Sequence, residues 1–240
     1  MQKAAVPSNA TGVFVTGTDT GIGKTFVAVA LVRALAARGV RVVGMKPVAA
    51  GIAPGATCNA DVAALAAADG LCLALRDRNP YGFVAAVAPH VAAGNVGVRI
   101  ELDVIAAAWQ RLSLQAEVIV VEGAGGVLVP LNDRADMLDL ARKFDLPVVL
   151  VVGMRLGCIN HALLSAQAVR GRGLNLAAWV ANEIGSPMES FDANVESIAA
   201  RIGMSATATL RQDFRADEVS VAMDKVVFAL MSCWQGERLL

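Results

Sequence analysis

Residues 17–25 read Gly-Thr-Asp-Thr-Gly-Ile-Gly-Lys-Thr, set between the apolar run Val13 to Val15 and a segment of helical spacing that begins at Lys24. This combination of residue types is suited to holding phosphate. A loop that leaves a buried strand and opens a helix aims several unpaired backbone N–H groups at one point, and the helix dipole adds positive charge there. Gly21 and Gly23 permit positive φ and close approach, Lys24 brings a mobile ammonium for the β- and γ-phosphates, and Thr25 offers a hydroxyl to Mg²⁺. The usual spacing for such a loop is a glycine, four residues, then Gly-Lys-Ser/Thr. Counting back from Gly23 gives Thr18, and Gly17 stands one place too early. The plain alternative is a tight turn whose glycines serve packing alone.

Two further stretches bear on the choice. In EVIVVEG, residues 117–123, an apolar strand ends in Glu122, where a carboxylate beside a phosphate loop would hold Mg²⁺ directly or through water. In GMKPVAAG, residues 44–51, a strand delivers Lys46 into a proline-bounded loop. Taken alone, Lys46 reads equally as a solvated strand end. Opposite Lys24, it would be a second fixed cation for charge moving off a γ-phosphate.

The elements that position these residues follow from the hydrophobic pattern. Continuous apolar runs occur at 12–15, 40–45, 117–123, 147–153 and 176–182, the mark of strands covered on both faces. Helical spacing fills Lys24 to Arg38, Leu102 to Leu114, Asp136 to Phe144 and Ile159 to Arg170. Such alternation predicts an α/β fold: one domain, with a parallel sheet flanked by helices on both faces and the loops after the strands gathered at one ligand-binding edge. Residues 1–11 read as an N-terminal arm. From Gly203 onward the pattern is less regular, with a last strand expected at 206–210 and a closing helix from Glu218 to Trp234.

Composition narrows the function classes. Hydrophobic residues make up 56% of the 240 and charged ones 18%, as in a densely buried globular chain. Mean hydropathy is +0.56, yet no apolar run approaches the roughly 20 residues that span a bilayer. Lys plus Arg and Asp plus Glu are 21 each, so nothing in the charge balance points to nucleic acid or acidic lipid. Small molecules are the expected partners. The four cysteines form no CxxC pair and the first residues show no signal-peptide core, which suits a reducing cytoplasm. Cys72 and Cys233 read as core fillers, and the two histidines are too few for a zinc cluster.

Together GTDTGIGKT, KPVAAG and VEGAGGVLVPL, with PVVLVVGMRLGCINHALLSAQAV and WVAN after them, resemble the dethiobiotin synthetases over roughly residues 12–184. These are enzymes of the P-loop NTPase superfamily whose loop carries the extra residue. The resemblance implies ATP and Mg²⁺, with 7,8-diaminononanoate and CO₂ as substrates and dethiobiotin, ADP and phosphate as products. It implies that Thr18, Asp19, Gly21, Ile22, Gly23, Lys24 and Thr25 enclose the nucleotide phosphates, and that Asn182 contacts the adenine. Thr20, Lys24 and Lys46 would surround a carbamate and the γ-phosphate; Thr25, Asp61 and Glu122 would hold the metal. Asp61 can also be read as a helix N-cap or first-turn carboxylate. Lys46, Ala50, Glu122 and Gly125 would face the diamine, with residues 81–89 along its aliphatic part. The turn of Gly157, Cys158, Ile159 and Asn160 would receive the substrate carboxylate across a homodimer interface.

The chain departs from the family pattern where Ala50 replaces a serine and where a base-enclosing Gly-x-Ile-Pro segment is absent from RIGMSATATLRQ. Three other readings use the same residues. A partitioning or division-site ATPase switch would carry a second lysine early in the loop, where Asp19 stands; a degenerate nucleotide-binding paralogue would not need Lys24, Thr25, Lys46 and Glu122 intact; an amidotransferase relative would need a glutaminase portion.

Overall fold

The computed structural model describes residues 10–234. In chain order the elements are β1 (Thr11–Gly17), α1 (Lys24–Ala36), β2 (Val42–Met45), β3 (Val48–Ala50), α2 (Ala60–Asp69), α3 (Leu75–Arg78), β4 (Tyr81–Phe83), α4 (Pro89–Asn95), α5 (Leu102–Ser113), β5 (Val118–Glu122), α6 (Met137–Lys143), β6 (Val148–Met154), α7 (Cys158–Gly171), β7 (Leu176–Glu183), α8 (Phe191–Ile202), β8 (Ala208–Leu210) and α9 (Ala216–Trp234). Six strands form one parallel sheet in the order β2-β5-β1-β6-β7-β8, and β3 pairs with β4 in a separate two-stranded ribbon. Every residue of β5 and β6 is buried, as continuous apolar runs require.

Alternate residues of each strand feed two cores. Phe14, Ile119, Val121, Leu150 and Val152 meet the buried faces of α5, α6, α7 and α8. Val13, Val15, Val118, Val120, Val149 and Val151 meet α1, α9 and Leu65 of α2. The layers pack closely enough that a Cβ on Gly12 would lie 2.5 Å from the Trp109 ring. From the other end of the chain, the Trp234 indole donates to the Gly12 carbonyl at 3.0 Å.

β1 lies between β5 and β6, so the connection to β2 leaves on one side and the later strands build on the other. That reversal opens a crevice at the carboxyl edge of β1, where residues 18–23 run. The structure adds elements that the pattern did not disclose, namely the β3–β4 ribbon and helices α3, α4 and α8. The strand expected at 206–210 is observed as β8, 208–210, and the closing helix begins two residues early, at Ala216. The arm expected at 1–11 falls largely outside the described residues, while Thr11 already belongs to β1. Cys72 is exposed rather than a core filler, because it sits in the loop after α2.

Candidate functional site

The phosphate loop is pinned from three sides. Thr18 N–H donates to Val151 O at 3.0 Å and Thr18 Oγ1 accepts from Gly153 N–H at 3.3 Å, both on β6. Ile22 is buried and fills the space above Gly153, where an added Cβ would come within 2.5 Å of it. Asn182, near the end of β7, donates from Nδ2 to Ile22 O at 2.8 Å. Gly23 has φ 92° and lies against that same amide, so a Cβ there would sit 2.3 Å from Asn182 Nδ2. Both a left-handed backbone and a lack of room therefore demand glycine. No side chain caps the start of α1 and its first turn holds no acidic residue, which leaves the helix dipole available to an anion.

Lys24 follows directly, and its Nζ donates to Asp19 O at 2.6 Å, so the ammonium curls over the loop. Asp19 itself accepts a hydrogen bond from Thr20 N–H at 2.7 Å and pairs with Arg155 Nη2 at 2.5 Å. Thr20 faces the loop after β5: a Cβ on Gly125, whose φ is 66°, would stand 3.5 Å from Thr20 Oγ1 and 2.7 Å from Val129.

Lys46 enters from the end of β2. Its Nζ lies 2.6 Å from Asp61 Oδ2 and 2.6 Å from Glu122 Oε1. Thr25 Oγ1 donates to the same Glu122 oxygen at 2.7 Å. Asp61 stands in the first turn of α2, where Asn59 is the cap, accepting from Asp61 N–H at 2.9 Å. The Asn59 side chain also donates to Ala50 O at 2.9 Å, fixing the end of β3 to the same helix.

This cluster has a distinctive charge balance. Lys24, Lys46 and Glu122 are 6%, 5% and 1% exposed. Burial, then the nearby Lys46 ammonium, lowers the Lys24 pKa from 10.5 to about 8, against the partial opposition of Glu122, Asp19 and Asp61. The cations at 24 and 46 thus share one locality. Burial also raises the Glu122 pKa, an effect that Lys46 and Thr25 only partly offset. Burial acts the same way on Asp61, but there Lys46, Thr25 and Lys24 together outweigh it and the carboxyl is held below its ordinary range.

Glu122 Oε2 is buried and has no hydrogen-bond partner. A buried carboxylate oxygen without a donor is costly unless something binds it. With the Thr25 hydroxyl and Asp61 beside it, the donor set is all oxygen, which suits Mg²⁺ rather than a soft metal. The residues present therefore fit both groups that a phosphate loop implies.

The remaining sequence-derived candidates lie on the same sheet edge. Gly157, φ 93°, precedes α7 without a side-chain cap. The Cys158 amide donates to Arg155 O at 2.9 Å, so it is engaged within the turn, and Ile159 and Asn160 follow it in the first turn of α7. The Cys158 thiol is buried, which raises its pKa and suits packing rather than reactivity. Asn182 has one of its N–H groups directed to the loop, with its carbonyl oxygen as a further polar group. Sequence reasoning missed Arg155, Asn59 and the residues that brace Lys46. The Asn-Ala-Asp order before an apolar helical run signals a cap at Asn59, whereas Arg155 carries no local signal.

Comparison with known proteins was consistent across sequence and structure. A family model described as AAA domain matches residues 11–216. The chain is 52% identical over 191 residues to the ATP-dependent dethiobiotin synthetase BioD of Nitrosospira multiformis, covering 80% of this chain and 84% of that one. To the protein of the same name from Aromatoleum aromaticum it is 49% identical over 211 residues, 87% of this chain and 94% of the relative. Among solved structures, the MinC:MinD cell division protein complex of Aquifex aeolicus aligns with TM-score 0.55 at 16% identity, covering 96% of this chain and 98% of that one, a likeness of fold.

Proposed function

The chain belongs to the family of ATP-dependent dethiobiotin synthetases, and we propose that Lys24, Lys46, Thr25, Asp61 and Glu122 form the centre at which it works. The activity is ATP- and Mg²⁺-dependent formation of dethiobiotin in biotin biosynthesis, on small-molecule substrates. One observation carries the assignment of the site: two buried ammonium groups, Lys46 close enough to lower the pKa of Lys24, face a hydroxyl, a carboxylate and a buried orphan carboxylate oxygen, with the uncapped start of α1 beside them.

In this reading residues 18–25 hold the nucleotide phosphates through backbone N–H groups, and Lys24 neutralises the γ-phosphate. Bound at Thr25, Asp61 and Glu122, Mg²⁺ would supply positive charge against the phosphate oxygens. One amine of 7,8-diaminononanoate attacks CO₂ and loses a proton to give a carbamate, which Lys46 and Thr20 hold. A carbamate oxygen attacks the γ-phosphorus as ADP leaves; the second amine then attacks the carbonyl carbon, phosphate departs, and the ring closes. Such chemistry rests on alignment and charge neutralisation, so no side-chain nucleophile is required. Lys24 and Lys46 also disfavour a further ammonium nearby, which keeps an amine free to react.

Gly125 lets the loop after β5 approach the diamine, and Ala50 lines the same space. The turn from Gly157 through Cys158 and Ile159 to Asn160 receives the carboxylate of substrate bound in a second copy, through N–H groups other than that of Cys158, which Arg155 O already holds. Support for a homodimer comes from Leu156, 98% exposed immediately before that turn, and from exposed Leu164 on α7. Asn182 contacts the base. The cytoplasm is the proposed setting, supported by four unpaired cysteines, and among the described residues no helix is long and apolar enough to cross a membrane.

Incubation with the diamine, bicarbonate and MgATP, followed by mass spectrometry, is expected to show dethiobiotin in step with ADP. ADP release that is indifferent to the diamine would refute the reading.

A further inference from the structure

β2 is an edge strand, and its outward-facing groups have no neighbouring strand in the main sheet. Groups from the last residue of α2, the last residue of α3 and the Asn79 that follows it take that place. Gly44 N–H donates to Asp69 Oδ2 at 2.9 Å, and Gly44 O accepts from Arg78 Nη1 at 3.1 Å. Two residues on, Lys46 N–H donates to Arg78 O at 2.9 Å, and Lys46 O accepts from Asn79 Nδ2 at 2.7 Å. The same Asn79 nitrogen donates to Tyr81 O at 3.0 Å, where β4 begins to pair with β3.

The unit is itself locked. Arg78 and Asp69 form a two-pronged pair, with Arg78 Nη2 2.7 Å from Asp69 Oδ1, and both side chains are buried. Arg78 Nη2 also donates to Leu71 O at 2.8 Å. Gly44 admits the helix that carries Asp69, since a Cβ there would lie 2.7 Å from Leu65 Cβ. None of these residues faces the phosphate loop in any contact described above. A buried ion pair is a poor source of net stability against apolar residues of the same size, so its presence calls for another account. Its geometry supplies one: four of the hydrogen bonds end on the backbone N–H and C=O groups of Gly44 and Lys46, the stretch of strand that carries the Lys46 side chain.

We propose that Arg78 and Asn79, braced by Asp69, are positioning residues that act as a substitute strand and set where the Lys46 ammonium stands between Asp61 and Glu122. This rests on the reading of Lys46 as a group that touches the transferred phosphoryl. An ammonium misplaced by about 1 Å costs on the order of a hundredfold in turnover while leaving the nucleotide's own contacts in place. The loop at 18–25 makes no hydrogen bond to Arg78 or Asn79, so nucleotide affinity and turnover separate.

The test is Asn79→Ala in the full-length protein, with kcat, KM for MgATP and thermal melting measured together. Ile198→Val, on the buried face of α8 and in the core on the opposite side of the sheet from α1, serves as a control for lost stability. The expected result is a fall in kcat of about tenfold or more with KM for MgATP within about threefold. The control is expected to lower the melting temperature with kcat unchanged. A folded Asn79→Ala protein with kcat within about twofold of the parent overturns the proposal, as does an equal loss of turnover and nucleotide affinity. Should Asn79→Ala fail to fold, Asn79→Ser, whose hydroxyl still donates one bond, reads the same separation. Lys46→Ala distinguishes the two levels: retained turnover there refutes the role of Lys46 itself, while lost turnover with an unaffected Asn79→Ala refutes only the positioning.

Discussion

Raising the pH from 7 to 9 should progressively remove the proton from Lys24 in the free protein, and nucleotide binding should put it back. Burial and Lys46 bring its pKa from 10.5 to about 8. The difference corresponds to about 3 kcal/mol of unfavourable charging. Because the folded pKa lies below the unfolded one, the unfolded chain binds the extra proton between them. This group's penalty on folding is therefore complete below about pH 8 and fades as pH rises toward the unfolded value. A bound triphosphate supplies the missing negative charge and returns the lysine to its ordinary range. Binding then takes up about 0.1 proton at pH 7, about 0.5 at pH 8 and about 0.9 at pH 9. The apparent Kd is flat below about pH 7 and steepens toward tenfold per pH unit above about 8. The assay is calorimetric titration with a non-hydrolysable MgATP analogue in two buffers of different ionisation enthalpy; the analogue's phosphates are already ionised in this range. Lys24→Met should abolish the buffer dependence. No proton uptake at pH 9, or the same uptake in Lys24→Met, would refute the reasoning.

Lys46→Ala is expected to bind nucleotide and to keep its circular dichroism spectrum while dethiobiotin formation, followed by mass spectrometry, falls by about a hundredfold or more. Gly23→Ala places a Cβ in a left-handed backbone and against Asn182; equilibrium titration should show nucleotide binding weaker by at least about tenfold. Pairing it with Asn182→Ala relieves the contact but leaves the left-handed backbone and removes the bond to Ile22 O, so binding is not restored. Sedimentation velocity should give a dimer in solution, and Leu156→Glu should release monomers of low activity; a fully active monomer contradicts a shared site.

Much of the architecture was legible because β5 and β6 are buried on both faces and so carry unbroken apolar runs. That residues 17–25, 46 and 122 meet was legible because each sits where a strand ends, and that edge is one place in a parallel sheet. The β3–β4 ribbon was not, since three-residue strands show no period. Helix α8 begins after Ser190 in a left-handed conformation, without a side-chain cap to announce it. Asp69 and Arg78 each read as surface residues; only their pairing, nine positions apart and across a loop, makes them interior. Asp61 could be placed near a helix start, but its contact with Lys46 depends on how α2 docks on β2.

β1 precedes the other described strands in the chain and sits in the interior of the finished sheet. Its partners on either side are residues 118–122 and 148–151, and the indole that caps Gly12 is 222 positions downstream. On the ribosome this strand must wait, exposed, until most of the polypeptide has emerged. A nascent chain halted before α9 would leave Val13 and Val15 without part of their cover, making such fragments natural clients for chaperones and proteases.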